Sequence, residues 1–228
     1  MGGRKRGAHT PSAQAACPAP GLIACATAAA AATDGVDGGS SPTAATGDGR
    51  AHGLAQWPMP QTTPHHQPCP GARTGFVFIC PGRFEAQRGY PCAAGTGANL
   101  ARVLLQLHQR DPLRFPSPQR ADYVITNAWA RVEYPALTRR SVPTLEEVLE
   151  AANLQRLAHE LAGLHWVVAC GVQAHAAVRA LHAHGLLRAA IACERHLSQR
   201  SINGIRDAAD TATRLARWCD GVLAQFGA

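Results

Sequence analysis

The sequence predicts an α/β fold: a three-layer α/β/α sandwich whose central sheet has four strands and is mostly parallel. Three observations predict it. Four short apolar runs, at residues 75–80, 122–127, 165–170 and 187–193, are continuous rather than alternating, as strands buried on both faces are. Helical stretches separate them, which gives the order βαβαβαβα and therefore crossover connections between parallel strands. Pro81-Gly82 and Gly171 end the first and third runs, where a strand must give way to a loop.

The chain divides near residue 70. Residues 1–70 hold 16 Ala, 10 Gly, 9 Pro and a single aromatic, Trp57. That segment has too little bulky apolar surface to offset the entropy of ordering it, so it reads as a disordered arm before a domain at 71–228. A chain starting at Gly71 is then expected to melt with the full-length protein. Within the domain, Thr96 opens a helix to Arg110 with Leu100, Val103, Leu104 and Leu107 on one face. Thr144-Leu-Glu-Glu147 is a capping box, and its helix is predicted to run to about Leu161, near Gly163. A third helix spans 172–184 before Gly185. The last begins at Ile202 or Gly204 and ends at Phe226. In parallel sheets of this kind ligands lie beyond the carboxyl ends of the strands.

Charge and cysteine usage narrow the partners. Residues 71–228 carry 18 Arg against 12 Asp or Glu, a net of +6, which suits a polyanion. The eight cysteines form no C-x-x-C and no pair with zinc-ligand spacing, so neither a metal nor any other cofactor is expected. Cys80, Cys170 and Cys193 end apolar runs, where cysteine serves as a small buried residue. This is the usage of a reduced, cytoplasmic protein. Arg4-Lys5-Arg6 and the stretch 21–32 imitate a secretory leader only faintly, because the apolar part is mostly Ala. No run approaches the ~20 apolar residues that span a membrane. His175, His182 and His184 share one predicted helix without an i,i+4 pair and read as surface residues. A monomer is expected.

Three segments stand directly after apolar runs. The first is Cys80-Pro-Gly-Arg-Phe-Glu85 continuing to Gly89-Tyr-Pro91, the second is Ile125-Thr-Asn127, and the third is His196-Leu-Ser198. In that order they resemble the three active-site segments of the uracil-DNA glycosylase superfamily. The first is similar to the opening motif of the iron–sulfur branch, G-E-A-P-G-x-x-E-x-x-x-G-x-P-F-x-G-x-x-G-x-x-L. Pro81, Gly82, Glu85, Gly89, Pro91, Gly97 and Leu100 match it without a gap. The branch's four cluster cysteines are missing, so the resemblance is to the superfamily and implies no cluster.

The resemblance implies DNA as partner, base flipping, and hydrolysis of the N-glycosidic bond of uracil or a related damaged pyrimidine. It implies that Asn127 reads the base edge and that His196 steadies the departing anion. Pro81, Gly82 and Ser198 would meet DNA, with Arg195 and Arg200 on phosphates. Two departures bear on catalysis. Cys80 stands where relatives carry an Asp, Asn or Glu that handles water. Cys92 stands where an aromatic stacks on the base, leaving Phe84 or Tyr90 to stack instead. Two alternatives follow: a catalytically inactive relative that binds nucleic acid or nucleotide, and a small-molecule hydrolase with Cys80 as nucleophile.

Overall fold

A computed structural model describes residues 61–227. In chain order its elements are β1 (His66–Gln67), β2 (Thr74–Phe78), α1 (Arg83–Arg88), α2 (Gly95–Arg110), β3 (Val124–Asn127), α3 (Pro135–Thr138), α4 (Leu145–Val148), α5 (Ala151–Glu160), β4 (Trp166–Cys170), α6 (Val172–Ala183), β5 (Ala190–Glu194), α7 (Gln199–Asn203) and α8 (Thr211–Gln225). The fold is α/β around a five-stranded mixed sheet in the order β1-β3-β2-β4-β5. The four predicted strands are present and mutually parallel, while β1 pairs antiparallel with β3. The sheet therefore has five strands rather than four.

Alternation along each strand sorts its side chains into two cores. Phe76, Phe78, Ile125, Val168 and Cys170 join Leu100, Val103, Leu104 and Leu107 of α2, Ile202 of α7 and Trp218 of α8. Val77, Val124, Val167 and Ala169 join Leu154 and Leu157 of α5 and Val178 and Leu181 of α6. Burial on both sides is why β2, β3 and β4 read as unbroken apolar runs, whereas β5 at the sheet's edge is buried only at Ala192. No helix among the described residues is long and apolar enough to cross a membrane.

One predicted helix is two, and the last starts later than predicted. The Thr144 capping box is present, with Thr144 Oγ1 accepting from Glu147 N–H, but α4 ends at Val148. The side chain of Asn153 donates to the Val148 carbonyl (2.7 Å), an acceptor that a continuous helix would use for itself, and also to Ala128 O (2.7 Å). At the end of the chain α7 stops at Asn203, and a new helix starts where Asp210 caps Thr213 N–H (2.7 Å). Residues 83–88, read as loop, form a helix. The Glu85 carboxylate accepts from Gly82 N–H (3.0 Å), and Gly89 closes the helix at φ 76°.

The domain limit at residue 70 moves toward the N-terminus. His66 and Gln67 pair with Thr126 and Ile125, so the sheet draws on residues assigned to the arm. The arm's remaining residues, 1–60, lie outside the described residues. A nearly buried carboxylate anchors β1. Glu160 accepts from His65 Nε2 (3.2 Å), from Arg156 Nη1 (2.6 Å) and from Thr126 Oγ1. Burial alone would raise its pKa, yet His65, Arg156 and Thr126 bring it down from 4.5 to about 2.

The unfolded chain takes up that proton first. Stability from Glu160 is therefore complete above pH 4.5 and is lost as pH falls to about 2, a change of roughly 3 kcal/mol. Glu160→Gln should lower stability at pH 7 and flatten its decline between those pH values, measured by urea unfolding across the acid range. An unchanged decline would remove Glu160 from the account of β1 docking. For the same reason a chain starting at Gly71, deprived of β1, should melt below one starting at Gln61.

Candidate functional site

Parallel pairing brings three loops to one edge of the sheet. Phe78 at the end of β2 is in register with Asn127 at the end of β3. Ala128 N–H donates to Phe78 O (2.7 Å) and Trp129 N–H to Ile79 O (3.0 Å), so the two strands' exits stay side by side. Across β4, Gly171 N–H donates to Glu194 O (2.8 Å). His175 Nε2 lies between Ala169 O (3.1 Å) and Glu194 O (2.6 Å). His175 is thus a half-buried tie between β4 and β5 rather than a surface residue.

At this edge lies a cavity of about 190 Å³ lined by Phe78, Cys80, Gly82, Glu85, Cys92, Thr96, Asn127 and His196. All three sequence segments contribute. A larger cleft, about 420 Å³ around His66, Arg73, His159 and His165, lies at the opposite, amino-terminal ends of the strands. The smaller cavity is the one on which the three segments converge.

His196 is fixed in one protonation state and one tautomer. Ser198 N–H donates to its Nδ1 (3.0 Å), and a backbone N–H can only donate. The ring proton therefore sits on Nε2. Phe78 packs edge-on to the imidazole with centroids 5.6 Å apart. Burial pushes the His196 pKa down from 6.5 to about 4, against a smaller opposing pull from Glu85. The residue is neutral at physiological pH and offers an N–H donor. Its loop is held from both sides. Leu197 is fully buried in the core, and its carbonyl accepts from the buried Asn99 side chain of α2 (2.9 Å).

Asn127 is buried, and its Nδ2 donates to His65 O (3.1 Å). Among the described residues its Oδ1 has no hydrogen-bond partner, and it is not a buried, unsatisfied atom. An acceptor and the second Nδ2 proton remain for a ligand. The 80–97 loop forms the opposite wall. Glu85 ties it by accepting from Gly82 N–H (3.0 Å) and Ala93 N–H (3.0 Å). Arg120 donates to Pro91 O (2.6 Å) and Cys92 O (3.2 Å). Gly97 is required there, because a Cβ at that position would lie 2.0 Å from Cys92 O.

Both cysteines of the cavity keep their protons. Burial is the main cause, with Glu133 and Glu85 adding to it, that pushes Cys80 up to about 12; its thiol faces Ser141 O at 3.6 Å. Complete burial also raises Cys92. Among the described residues no three His, Cys, Asp or Glu side chains are grouped to hold a metal ion, and the six described cysteines are free.

The two aromatic candidates lie outside the cavity. Phe84 is 43% exposed, with the guanidinium groups of Arg83 and Arg88 near its ring. Tyr90 lies against Arg120, 5.1 Å away. The turn of helix at 83–88 is what points Phe84 outward. Pro81 is buried beneath the loop, with its carbonyl accepting from Glu133 N–H (2.9 Å). Ser198 caps α7, Arg195 donates to Ser201 O (3.2 Å), and Arg200 is exposed. Glu85, Thr96 and Phe78 complete the cavity. Of these Glu85 carried a functional signal, its place in the motif; Thr96 was read only as the start of a helix, which in the structure begins at Gly95 after Ala94 with no side-chain cap. Asn99 carried another signal, a polar residue on the apolar side of α2.

Nitrogen-15 NMR should find His196 as the Nε2–H tautomer from pH 8 to pH 5, with protonation near 4. Titration near 6.5 would contradict the buried, neutral donor. No protein-family model matches this sequence, and no curated protein matches it.

Proposed function

We propose that this protein is a DNA glycosylase-like enzyme that removes uracil or a related damaged pyrimidine from DNA. In this reading the domain is a three-layer α/β/α sandwich of the uracil-DNA glycosylase kind. One observation carries it: a neutral imidazole with Nε2–H as its donor and an amide whose oxygen has no partner among the described residues line the same cavity, at the carboxyl edge of the parallel strands. A pyrimidine flipped from the duplex would place its lactam edge on Asn127 and its O2 on His196. As the N-glycosidic bond breaks, the electron pair passes to the base, and the anion gathers charge at O2. A fixed donor there stabilises the transition state more than the ground state.

Water needs a partner other than Cys80, whose thiol stays protonated. Glu85 is the one carboxylate lining the cavity among the described residues. Each of its oxygens accepts one backbone N–H, which leaves lone pairs able to orient a water molecule. A proton held to about 12 also weighs against Cys80 as a nucleophile, since the thiolate is the attacking form. The second reading, a relative that binds nucleic acid without excising a base, draws on the lack of an acid at Cys80 and of an aromatic at Cys92.

Single-turnover assays on a uracil-containing duplex, developed by alkaline cleavage at abasic sites, separate the two. His196→Ala should slow excision about 100- to 1,000-fold, or ~2.7–4 kcal/mol, with little change in duplex affinity. Cys80→Ala should change the rate little. Excision that survives His196→Ala would reject the site, and salt-sensitive binding without excision would favour the second reading. Affinity itself should fall steeply with salt, and Arg200→Ala should flatten that slope by about one ion.

A further inference from the structure

The orientation of the Asn127 amide is set by a residue far from it in sequence. A backbone carbonyl can only accept, so the group facing His65 O at 3.1 Å must be Nδ2. Turning the amide over would set Oδ1 against that carbonyl, two acceptors without a proton between them. His65 is in turn held in place. Its Nδ1 lies 3.0 Å from Thr63 Oγ1, and its Nε2 lies 3.2 Å from Glu160, whose side chain is 8% exposed. Arg156 joins the same carboxylate at 2.6 Å and also donates to Asn127 O at 3.0 Å. The next residue, His66, pairs with Thr126.

We infer that the His65 carbonyl, anchored through Glu160, is the specificity-determining group of the cavity: it locks Asn127 to accept a ring N–H and donate to the adjacent carbonyl. This rests on reading the cavity as a base pocket. The lactam edge of uracil, N3–H beside O4, meets an amide so oriented. Cytosine presents an acceptor N3 beside an amino donor and needs the amide reversed, which the His65 carbonyl opposes. Discrimination of this kind, in which the wrong ligand leaves a buried polar group unpaired, is the effective kind. The positioning group therefore comes from the segment before residue 70.

The test uses the full-length protein and reads binding rather than turnover. The nitrogen-15 side-chain resonance of Asn127 is followed as deoxyuridine or deoxycytidine is added. Wild type should respond to deoxyuridine in preference. In His65→Ala, and separately in Glu160→Gln, the preference should fall about tenfold or more through looser control of the amide. Equal weakening for both nucleosides would mean only a structural role and would overturn the assignment, as would an unchanged preference in both variants. A wild type that separates the nucleosides yet excises no base defeats the catalytic reading and leaves the His65 assignment standing. A wild type that binds both alike, or neither, overturns it.

Discussion

The parallel pairing of β2 with β3 on one side and β4 on the other is the constraint on which the site depends. Parallel strands send all their chain exits to one edge. With Phe78 in register with Asn127 and β4 in register with β5, the loops after β2, β3 and β5 have no other place to go. Cys80, Asn127 and His196 are 47 and 69 residues apart in sequence by their numbering, and the sheet alone brings them together. The two cores hold that sheet from both faces. Glycines permit the close approaches at the edge: Gly97 under the Cys92 carbonyl, and Gly171 at φ 101° beside Ile79 and His196.

The chemistry of the edge is that of a preorganised hydrogen-bonding pocket with little charge of its own. Burial keeps His196 neutral and Cys80 protonated. Glu85 uses its charge to bind two backbone N–H groups. Such a site costs little reorganisation when negative charge develops on a bound group, because its dipoles already point there. The strongly ionised groups stand behind the walls. Arg140 bridges Glu133 (2.6 Å) and Glu147 (2.7 Å), which ties α4 to the loop after β3. Glu160 holds β1, α5 and β3 through His65, Arg156 and Thr126. These networks stabilise the walls, and Glu85 is the one carboxylate on the cavity itself among the described residues.

Local signals were legible in the sequence, and long-range ones were not. Continuous apolar runs marked all four parallel strands: β2, β3 and β4 are buried on both faces, while β5, at the sheet's edge and buried only at Ala192, is still apolar from Ala190 to Cys193. The Thr144 capping box marked a helix start for the same local reason. The break after Val148 was hidden, since it depends on Asn153 reaching a carbonyl five residues back and another on Ala128. β1 was hidden too: two residues in a Pro- and His-rich stretch have no periodicity, and their stability comes from Thr126 and Glu160. Motif spacing located Cys80, Gly82, Asn127 and His196, all on the cavity. Motif spacing also placed Cys92 on the cavity, but Phe84 and Tyr90, read as stacking in its stead, lie off it, because stacking depends on side-chain direction. Phe84 is turned outward by a short helix capped by Glu85, and Tyr90 is drawn to Arg120.

The most direct measurement is a crystal structure of the protein with a duplex carrying 2′-fluoro-2′-deoxyuridine, whose glycosidic bond resists hydrolysis. The account predicts the uracil ring inside the cavity. Its O2 should lie within hydrogen-bond distance, about 2.7–3.2 Å, of His196 Nε2, and its N3–H should face Asn127 Oδ1. A duplex bound with the base still stacked, or seated on the Arg-lined cleft formed by Arg195, Arg206 and Arg217 with the cavity empty, would contradict it.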